Sequence, residues 1–552
     1  MVSILAHTQP QYATHDVTNQ PPPLAPYDAS EDVALLEGLR REGAEWAEKD
    51  VRRLGLTAGG VEAQEWAEQA NRYTPELRTH DRYGNRVDEA DFHPSWHHLM
   101  RTAVGEGLAG AAWADDRPGA HVARIAGALV WGHTEAGHTC PTSMTYAVVP
   151  ALRRQPELAA VYEPLLTGRE YEPGLRVPTD KRGLLAGMGM TEKQGGSDVR
   201  ANTTTATPGA EPGVYTLRGH KWFTSAPMCD LFLVLAQAPD GLTCFLVPRV
   251  LPDGSRNTFR IQRLKDKLGN RSNASSEPEF DGTVAWRVGP EGQGVKTIIE
   301  MVNCTRLDCV MGSATLMRRT LVEAGHHARH RSAFGARLLD QPLMRNVLAD
   351  LALESEAATT LTLRLAGAAD RAVRGDEGER MFRRIATAVG KYWVTKRGPA
   401  FTAEALECLG GNGYVEDSGM PRHYREAPLL SIWEGSGNVN ALDVLRALTR
   451  NPGTAEALFA ELALARGANA RLDAATTRLK DAVREADQTG ARRLVERMAL
   501  TLQAALLVRH APAAVADAFC ATRLDGDWGY AYGTLPGSAD LDGILRRALP
   551  AA

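Results

Sequence analysis

The hydrophobic pattern changes character twice along this chain of 552 residues, and that alternation constrains the fold more than any other feature. From about residue 31 to residue 176, apolar residues recur at three- and four-residue steps, as on one face of an α-helix. Near residue 186, short β-prone runs begin, and turns that contain Gly and Asp separate them. This spacing is typical of a small antiparallel sandwich or barrel. After Gly294 the helical period returns over long segments, which indicates a helical bundle.

The same patterns predict individual elements. The N-terminal helices are predicted at Asp32–Glu48, Val61–Tyr73, Ser95–Val104 and Ala120–His133. Asp28 or Ser30 is expected to cap the first helix. Strands are predicted at Val214–Leu217, Leu231–Ala236, Cys244–Val247, Phe259–Ile261 and Val284–Val288. Long helices are predicted at Val295–Arg331, Leu343–Arg374 and Glu379–Ala403.

The predicted fold class is therefore mainly α with a central small β domain. The domain boundaries follow the changes of pattern and the break at Asn451-Pro-Gly453. The predicted units are an extended Pro-rich arm over 1–30, a helical domain over 31–185, a β domain over 186–290, a helical bundle over 291–450 and a helical extension over 451–552.

Composition excludes several classes of protein. The net charge is −4, and the seven cysteines include no CxxC pair, so neither a disulfide framework nor a zinc ribbon is predicted. No leader and no apolar run of about 18 residues is present, so we expect a cytoplasmic protein without membrane insertion. No metal is predicted. Two groups contain residue types that bind metals, but their spacings match no established ligand pattern: His326 with His330, and His133, Glu135 and His138 with Cys140.

Glu434 is the candidate catalytic residue. It lies in the stretch Ser431-Ile-Trp-Glu-Gly-Ser-Gly-Asn438, between the bulky Trp433 and a flexible glycine turn. A carboxylate against apolar bulk resists ionisation, so its pKa is expected to be raised, which suits a general base for a weakly acidic C–H. The plainer alternative is a solvated helix end.

Four further stretches have the composition of ligand-binding loops. The loop over 188–199 combines glycines with the hydroxyls of Thr191 and Ser197, and it also fits an ordinary connector. If residues 219–225 form a strand, Trp222 and Thr224 share one face, suited either to a planar cofactor or to the core. The stretches 331–335 and 409–414 also fit plain helix ends.

Taken in order, GMTE-x-x-GGSD, KWFTS, RSAFG, GGNGY and EG-S-G resemble the motifs of the acyl-CoA dehydrogenase superfamily over residues 180–445. The total length, the N-terminal Asn19-Gln-Pro-Pro22 and the form Trp433-Glu-Gly-Ser-Gly-Asn438 are most similar to the branch associated with the bacterial response to DNA alkylation. The resemblance implies an N-terminal helical domain, a β domain, a four-helix bundle and an additional C-terminal segment.

The resemblance also implies FAD as the cofactor. The residues it assigns to FAD are Met188, Met190, Thr191, Ser197, Trp222, Phe223, Thr224, Arg331, Phe334, Gln341, Gly410, Gly411, Ser436 and Asn438. Trp222 would pack beside the isoalloxazine, and Thr224 would hydrogen-bond near flavin N5. Arg331, Phe334 and Gln341 would reach the FAD of a neighbouring subunit, which implies a homo-oligomer, usually a tetramer.

The implied reaction is oxidation of an acyl-CoA, with Glu434 as the base, hydride transfer to flavin N5 and an electron-transfer flavoprotein as a candidate acceptor. Arg306 is a candidate CoA contact, and Trp433 is expected to narrow the acyl pocket. Two positions depart from the family pattern: Glu407 stands where many relatives carry Gln, and Trp433 is larger than its usual counterpart.

Two alternative functions remain open from the sequence. A nitroalkane-type flavin oxidase on the same fold is less favoured, because those relatives use Asp as the base. A DNA-binding protective flavoprotein would require a basic surface. Residues 446–552 hold 14 Arg and Lys against 12 Asp and Glu. The candidate contacts to double-stranded DNA are Arg478, Lys480, Arg484, Arg492, Arg493 and Arg497. A solvated helix face is the plainer interpretation of these cations.

Overall fold

The computed structural model describes residues 14–451 and 453–549. Most of residues 33–166 are helical, and seven α-helices cover them. These are α1 Val33–Arg41, α2 Glu48–Ala58, α3 Val61–Arg72, α4 Pro94–Gly105, α5 Ala120–Trp131, α6 Thr139–Leu152 and α7 Pro156–Leu166. An antiparallel hairpin of β1 (Glu76–His80) and β2 (Arg86–Asp91) interrupts them. The hairpin lies inside the segment that the sequence pattern assigned entirely to helices.

The prediction for the first helix was wrong in two respects. The segment Asp32–Glu48 is not one helix, because α1 ends at Arg41 and Gly43 turns the chain with a φ of +84°. The cap is Asp32, whose carboxylate accepts from the backbone N–H groups of Ala34 and Leu35. Asp28 instead accepts from the backbone N–H of Ser30 at 2.8 Å.

The central segment forms one eight-stranded sheet. Its strands are β3 Ala186–Gly189, β4 Thr205–Pro208, β5 Val214–His220, β6 Thr224–Ser225, β7 Leu231–Ala238, β8 Gly241–Pro248, β9 Arg260–Leu264 and β10 Ser275–Val288. The 14-residue β10 pairs with β5, β6, β8 and β9 along its length. The sheet is not purely antiparallel, because β7 pairs in parallel with β3 and β4. The structure adds β3, β4 and β6 to the five predicted strands.

Long helices follow the sheet. They are α8 Gly294–His330, α9 Pro342–Val373, α10 Glu377–Glu407, α11 Gly411–Tyr414, α12 Met420–Ile432 and α13 Gly437–Arg450. The first three agree with the predicted bounds within a few residues. A small hairpin of β11 (Ser332–Ala333) and β12 (Ala336–Arg337) joins α8 to the turn before α9. Buried residues lie all round α8 and α9, so these helices form the centre of the bundle.

The C-terminal extension packs against this bundle. Its helices are α14 Gly453–Ala463, α15 Ala470–Arg484, α16 Ala491–His510, α17 Ala513–Phe519 and α18 Leu541–Ala548. Between α17 and α18 a loop returns to α9, where the buried Asp350 accepts hydrogen bonds from the Arg523 guanidinium, Trp528 Nε1 and Gly533 N–H. The Arg523 guanidinium also stacks on the Trp528 ring at 4.1 Å. The Gly- and aromatic-rich loop is thus anchored on a buried carboxylate.

The described part of the N-terminal arm runs along the end of α8. Asn19 Nδ2 donates to the carbonyl of Ser332 at 2.8 Å, and Ser332 N–H donates to Asn19 Oδ1 at 2.7 Å. His326 Nε2 lies 2.8 Å from the carbonyl oxygen of Pro22. The arm therefore holds the β11–β12 hairpin at the end of the bundle. The first thirteen residues of the predicted arm lie outside the described residues.

Candidate active site

The turn between α12 and α13 carries Glu434. Glu434 has a φ of +56° and Gly435 a φ of +94°, so both residues lie in the left-handed region. A residue with a Cβ is destabilised there by about 1–2 kcal/mol, and such strain persists only where surrounding contacts impose it. Here Arg306 Nε donates to the carbonyl of Glu434 at 3.1 Å. Lys391 Nζ donates to the carbonyls of Trp433 and Gly435.

The side chain of Glu434 is partly buried and is oriented by Thr305, whose Oγ1 donates to Oε2 at 2.6 Å. Burial raises the pKa of this carboxyl above its ordinary value, while the Thr305 hydrogen bond and the charges of Lys391 and Arg306 act in the opposite direction. A carboxylate whose proton affinity is raised by its surroundings suits abstraction of a weakly acidic C–H proton.

Arg306 contacts this turn. Its guanidinium is buried, and besides the Glu434 carbonyl it contacts Asp443, with Nη1 donating to Oδ2 at 2.8 Å. Asp443 also accepts from Arg384 at 2.9 Å. Nε and Nη1 of Arg306 are thus directed at protein acceptors, and the expected contact of Arg306 with CoA stays a prediction.

The Gly-rich loop begins at the end of β3. Met188 is buried in that strand and Met190 is partly buried, whereas Ser197 is exposed. Glu192 anchors the loop, because its carboxylate is fully buried against the Lys221 ammonium, 2.7 Å from Nζ. The loop that carries the hydroxyl groups of Thr191 and Ser197 is therefore held in place by this buried ion pair.

Thr224 lies next to this loop, in β6. Its Oγ1 is buried and has no hydrogen-bond partner among the described residues, which is costly for a hydroxyl. A Cβ placed on Gly189 would lie 3.1 Å from that oxygen, so the missing side chain keeps the position open. An unpaired buried hydroxyl beside a glycine fits the polar edge of a bound heterocycle.

Trp222 and Phe223 precede β6 and are not part of a strand, so the condition under which Trp222 and Thr224 would share one strand face is not met. The Trp222 N–H donates to the carbonyl of Thr191, which draws the chain out of the sheet towards the Gly-rich loop. The Trp222 ring is partly buried, with Lys265 Nζ 3.2 Å from its centroid, while Phe223 is 50% exposed.

Cys140 of α6 is a further titratable group of this region. Burial raises the pKa of its thiol, and the negative charge of Glu434 acts in the same direction. Ser436 and Asn438 lie at the start of α13, directly after the Glu434 turn.

The other expected cofactor residues lie elsewhere on the chain. Arg331 follows α8 and is about 39 Å along that helix from Thr305, at 1.5 Å per residue. Phe334 stands at the tip of the β11–β12 hairpin, 100% exposed and with a φ of +52°. Gln341 occupies the N-cap position of α9. Gly410 and Gly411 follow the end of α10, and both are exposed. Within one chain these five residues do not approach Glu434.

Thr305, Lys391 and Asp443 belong to the candidate site but were not predicted from the sequence. The only sequence signal was that Lys391 interrupts an apolar stretch of α10, Ala386-Thr-Ala-Val-Gly-Lys-Tyr-Trp-Val394. A lysine at a core position of a helix requires a buried acceptor. The signal therefore indicated a site, but not which acceptors would be found there.

The candidate DNA contacts are all exposed. Those on α15 are Arg478, Lys480 and Arg484, and those on α16 are Arg492, Arg493 and Arg497. Arg492 also donates to the hydroxyl of Tyr392 at 3.1 Å. Across the described residues, only Arg484 of this set forms an ion pair with a carboxylate, that of Asp481 at 3.0 Å.

Two absences hold for residues 14–451 and 453–549. No group of three His, Cys, Asp or Glu side chains converges as metal ligands, and each helix there is too short or too polar to span a bilayer. Glu135 instead belongs to a buried network with His138, whose Nδ1 lies 2.6 Å from its carboxylate, and with Ser272.

Three protein-family models match the chain in succession. They are the adaptive response protein AidB N-terminal domain over 19–173, the acyl-CoA dehydrogenase middle domain over 187–283 and the acyl-CoA dehydrogenase C-terminal domain over 292–449. The chain belongs to the acyl-CoA dehydrogenase family, the FAD-dependent oxidoreductases that act on the CH–CH group of acyl-CoA donors.

Within that family the chain is similar to AidB of Escherichia coli (strain K12), with 45% identity over 520 residues that cover 93% of this chain and 95% of that protein. The solved structure of Caenorhabditis elegans ACDH-11 in complex with C11-CoA has a TM-score of 0.84 and 26% identity, and it covers all of this chain and 95% of that one. The structure of Bd2924 in its apo form has a TM-score of 0.80 and 27% identity, over 90% of this chain and all of that one.

These similarities confirm the predicted family, fold class and cofactor. The residues present fit a flavin, because the buried Thr224 hydroxyl has no partner among the described residues and lies beside the open position at Gly189, where the Gly-rich loop begins. A polar heterocycle edge would supply the partner that Thr224 lacks.

Proposed function

We propose that this chain oxidises an acyl-CoA thioester at its α and β carbons, with Glu434 as the base that removes the α proton. The observation that carries the proposal is the partly buried carboxylate itself, which a hydrogen bond from Thr305 holds in a turn with a φ of +56°. The relative whose title names a C11-CoA complex supports an acyl-CoA as the class of substrate.

FAD and the protein have separate roles in the proposed reaction. Bound FAD supplies the two-electron acceptor, and the protein supplies position and electrostatics. Thr305 holds Oε2 of Glu434, so the proton is taken at a fixed oxygen. Arg306 and Lys391 fix the backbone on which that oxygen is carried, and the partly buried Trp433 shields one flank from water. An electron-transfer flavoprotein is the proposed final acceptor.

The test is anaerobic mixing of the FAD-loaded protein with short, branched and long acyl-CoAs, followed by flavin absorbance. We expect bleaching by at least one ester and a loss of at least about 1,000-fold in rate for Glu434→Gln, since general acid–base catalysis contributes about 10²–10⁴-fold. Dithionite should still bleach the variant, which shows an intact flavin site. A Glu434→Gln variant that is reduced as fast as the wild type contradicts the proposal.

We further propose that the chain acts as a homo-oligomer, a tetramer as the family resemblance implies. Arg331, Phe334, Gln341, Gly410 and Gly411 lie too far from Glu434 to serve the same site within one chain. The Phe334 ring is fully exposed at the tip of the β11–β12 hairpin, and in the proposed oligomer it contacts a second subunit. A monomer at micromolar concentration by light scattering would contradict this proposal.

A second candidate function is binding of double-stranded DNA, in keeping with the branch of the family that responds to DNA alkylation. The observation that favours it is the set of exposed cations on α15 and α16, five of which form no ion pair with a carboxylate among the described residues. Binding through phosphates should weaken steeply between about 50 and 200 mM salt. A shift that salt does not change, or no shift at all, would exclude this function.

A further inference from the structure

Three lysines of the described chain are buried: Lys181, Lys221 and Lys391. Two of them face a carboxylate, with Lys181 2.6 Å from Asp230 and Lys221 2.7 Å from Glu192. Lys391 is 0% exposed and has no carboxylate within ion-pair distance in the part of the chain that the structure describes. Burying a cation costs several kcal/mol unless good partners repay the lost hydration.

The partners of Lys391 are main-chain oxygens. Its Nζ donates to the carbonyl of Trp433 at 2.8 Å and to the carbonyl of Gly435 at 2.8 Å. The carbonyl between them, that of Glu434, accepts from Arg306 Nε at 3.1 Å. Two buried cations thus hold three successive carbonyls, and the residue in the middle is the one with a φ of +56°.

This arrangement opposes the intrinsic preference of the backbone. A non-glycine residue released from the left-handed region gains about 1–2 kcal/mol by returning to negative φ. That rotation would carry the Glu434 carboxylate away from Thr305 Oγ1, which now lies 2.6 Å from Oε2. Lys391 holds the peptide group directly before Glu434 and the one after Gly435, while Arg306 holds the peptide group between Glu434 and Gly435.

We infer that Lys391 is a positioning residue for Glu434: it holds the left-handed turn that aims the carboxylate, and its buried charge favours the ionised form of that carboxylate. The inference rests on the proposed role of Glu434 as the base. Among the described residues, the hydrogen bonds of Lys391 go to these main-chain oxygens, and Lys391 touches none of the reacting atoms.

Other charged and titratable groups also face the turn. They are Arg306, Asp308 and Cys309 from α8, Cys140 from α6 and Asp443 from α13, which neutralises Arg306. Burial raises the pKa of Glu434, and Lys391 is among the groups that lower it. Removal of the Lys391 charge should therefore displace the titration of Glu434 to higher pH.

The experiment measures flavin reduction by an acyl-CoA in the FAD-loaded protein, as a function of pH, for Lys391→Met, Lys391→Gln and Lys49→Met. Lys49 is the control: it is an exposed lysine of α2, and it makes no hydrogen bond or ion pair with the described residues. For Lys391→Met we expect the limiting rate to fall about 100-fold, as for a displaced catalytic group. The rise of rate with pH should move to higher pH while KM changes little.

Lys391→Gln separates the two parts of the role. Its amide keeps two N–H donors without a charge, so it should restore much of the limiting rate and leave the displaced pH profile. Lys49→Met should match the wild type in both respects. The inference is overturned if Lys391→Met and Lys391→Gln, both folded with bound FAD, show the pH profile and limiting rate of the wild type.

A second readout does not depend on turnover. Amide hydrogen exchange of the peptide over 431–440 should quicken at least tenfold in Lys391→Met and remain unchanged in Lys49→Met. If no acyl-CoA reduces the wild-type flavin, the proposed function fails, and the exchange rates still decide whether Lys391 holds the turn. Equal exchange in all three proteins would contradict the inference.

Discussion

The hydrogen bond from Thr305 to Glu434 allows a quantitative test of how the base is tuned. Thr305→Val keeps the shape of the side chain and removes the hydroxyl, which is buried in α8 and donates to Oε2 at 2.6 Å. A hydrogen bond to a charged group contributes about 1.5–3 kcal/mol. Its loss disfavours the ionised carboxylate, so the pKa of Glu434, already raised by burial, rises further.

The sign and size of the effect follow from this shift. The ionised form is the active base, so the rate falls at pH values below the kinetic midpoint and recovers above it. A change of about 1.5–3 kcal/mol corresponds to about a ten- to hundredfold lower rate on the acidic limb, since 1.4 kcal/mol is a factor of ten. The plateau at high pH should stay within about threefold of the wild type.

The assay is anaerobic stopped-flow reduction of the flavin between about pH 5.5 and 9, with one acyl-CoA at saturation. Thermal unfolding of the variant with FAD bound controls for loss of structure. A loss of rate by the same factor at every pH would refute the reasoning, because the hydroxyl would then orient the carboxylate without changing its proton affinity.

Other predictions concern stability and assembly. Arg124→Met should lower the free energy of unfolding by about 3–5 kcal/mol in urea melts, because it leaves Asp308 buried and unpaired, whereas adding Asp308→Leu should recover most of the loss. Burial alone raises the pKa of Glu135, but hydrogen bonds lower it from 4.5 to about 2. The stability gained from ionised Glu135 is thus full above pH 4.5 and lost as pH falls through about 2, so the difference in urea midpoint between the wild type and Glu135→Gln should narrow on acidification. Phe334→Ser should shift the oligomer towards smaller species in light scattering and leave the fold intact, since the ring contacts solvent in one chain. The first prediction would be contradicted if the losses of stability from Arg124→Met and Asp308→Leu added up in the double variant. The second would be contradicted by a difference in urea midpoint that does not change with pH, and the third by an oligomer of unchanged size.

The elements that the sequence predicted well share one property, an uninterrupted hydrophobic period. The helices α8, α9 and α10 carry it for about thirty residues each, and their predicted ends differ from the observed ones by a few residues. The β1–β2 hairpin was missed because Glu76–Asp91 is charged on both faces and has no apolar alternation. At Trp222, the hydrogen bond from the backbone N–H to the carbonyl of Thr191 outweighs the local preference of the sequence for a strand.

Prediction of the candidate site from the sequence was limited in a similar way to residues with a local signal. Glu434 could be predicted because a carboxylate beside an indole and a glycine turn is a local pattern. Thr305 and Lys391 could not, because they are 129 and 43 residues away in sequence and meet the turn only through the packing of α8 and α10. Oligomer contacts such as Phe334 were predicted by resemblance alone.

The anchoring of the C-terminal extension on Asp350 has a practical consequence for anyone who would divide this protein. A chain cut at residue 450 would keep the carboxylate of Asp350 inside α9 and lose the three donors supplied by Arg523, Trp528 and Gly533. An unpaired charge at that depth destabilises the remainder by several kcal/mol. The extension is thus not a detachable module. The proposed binding of DNA should be separated from catalysis by surface substitutions on α15 and α16 in the intact chain.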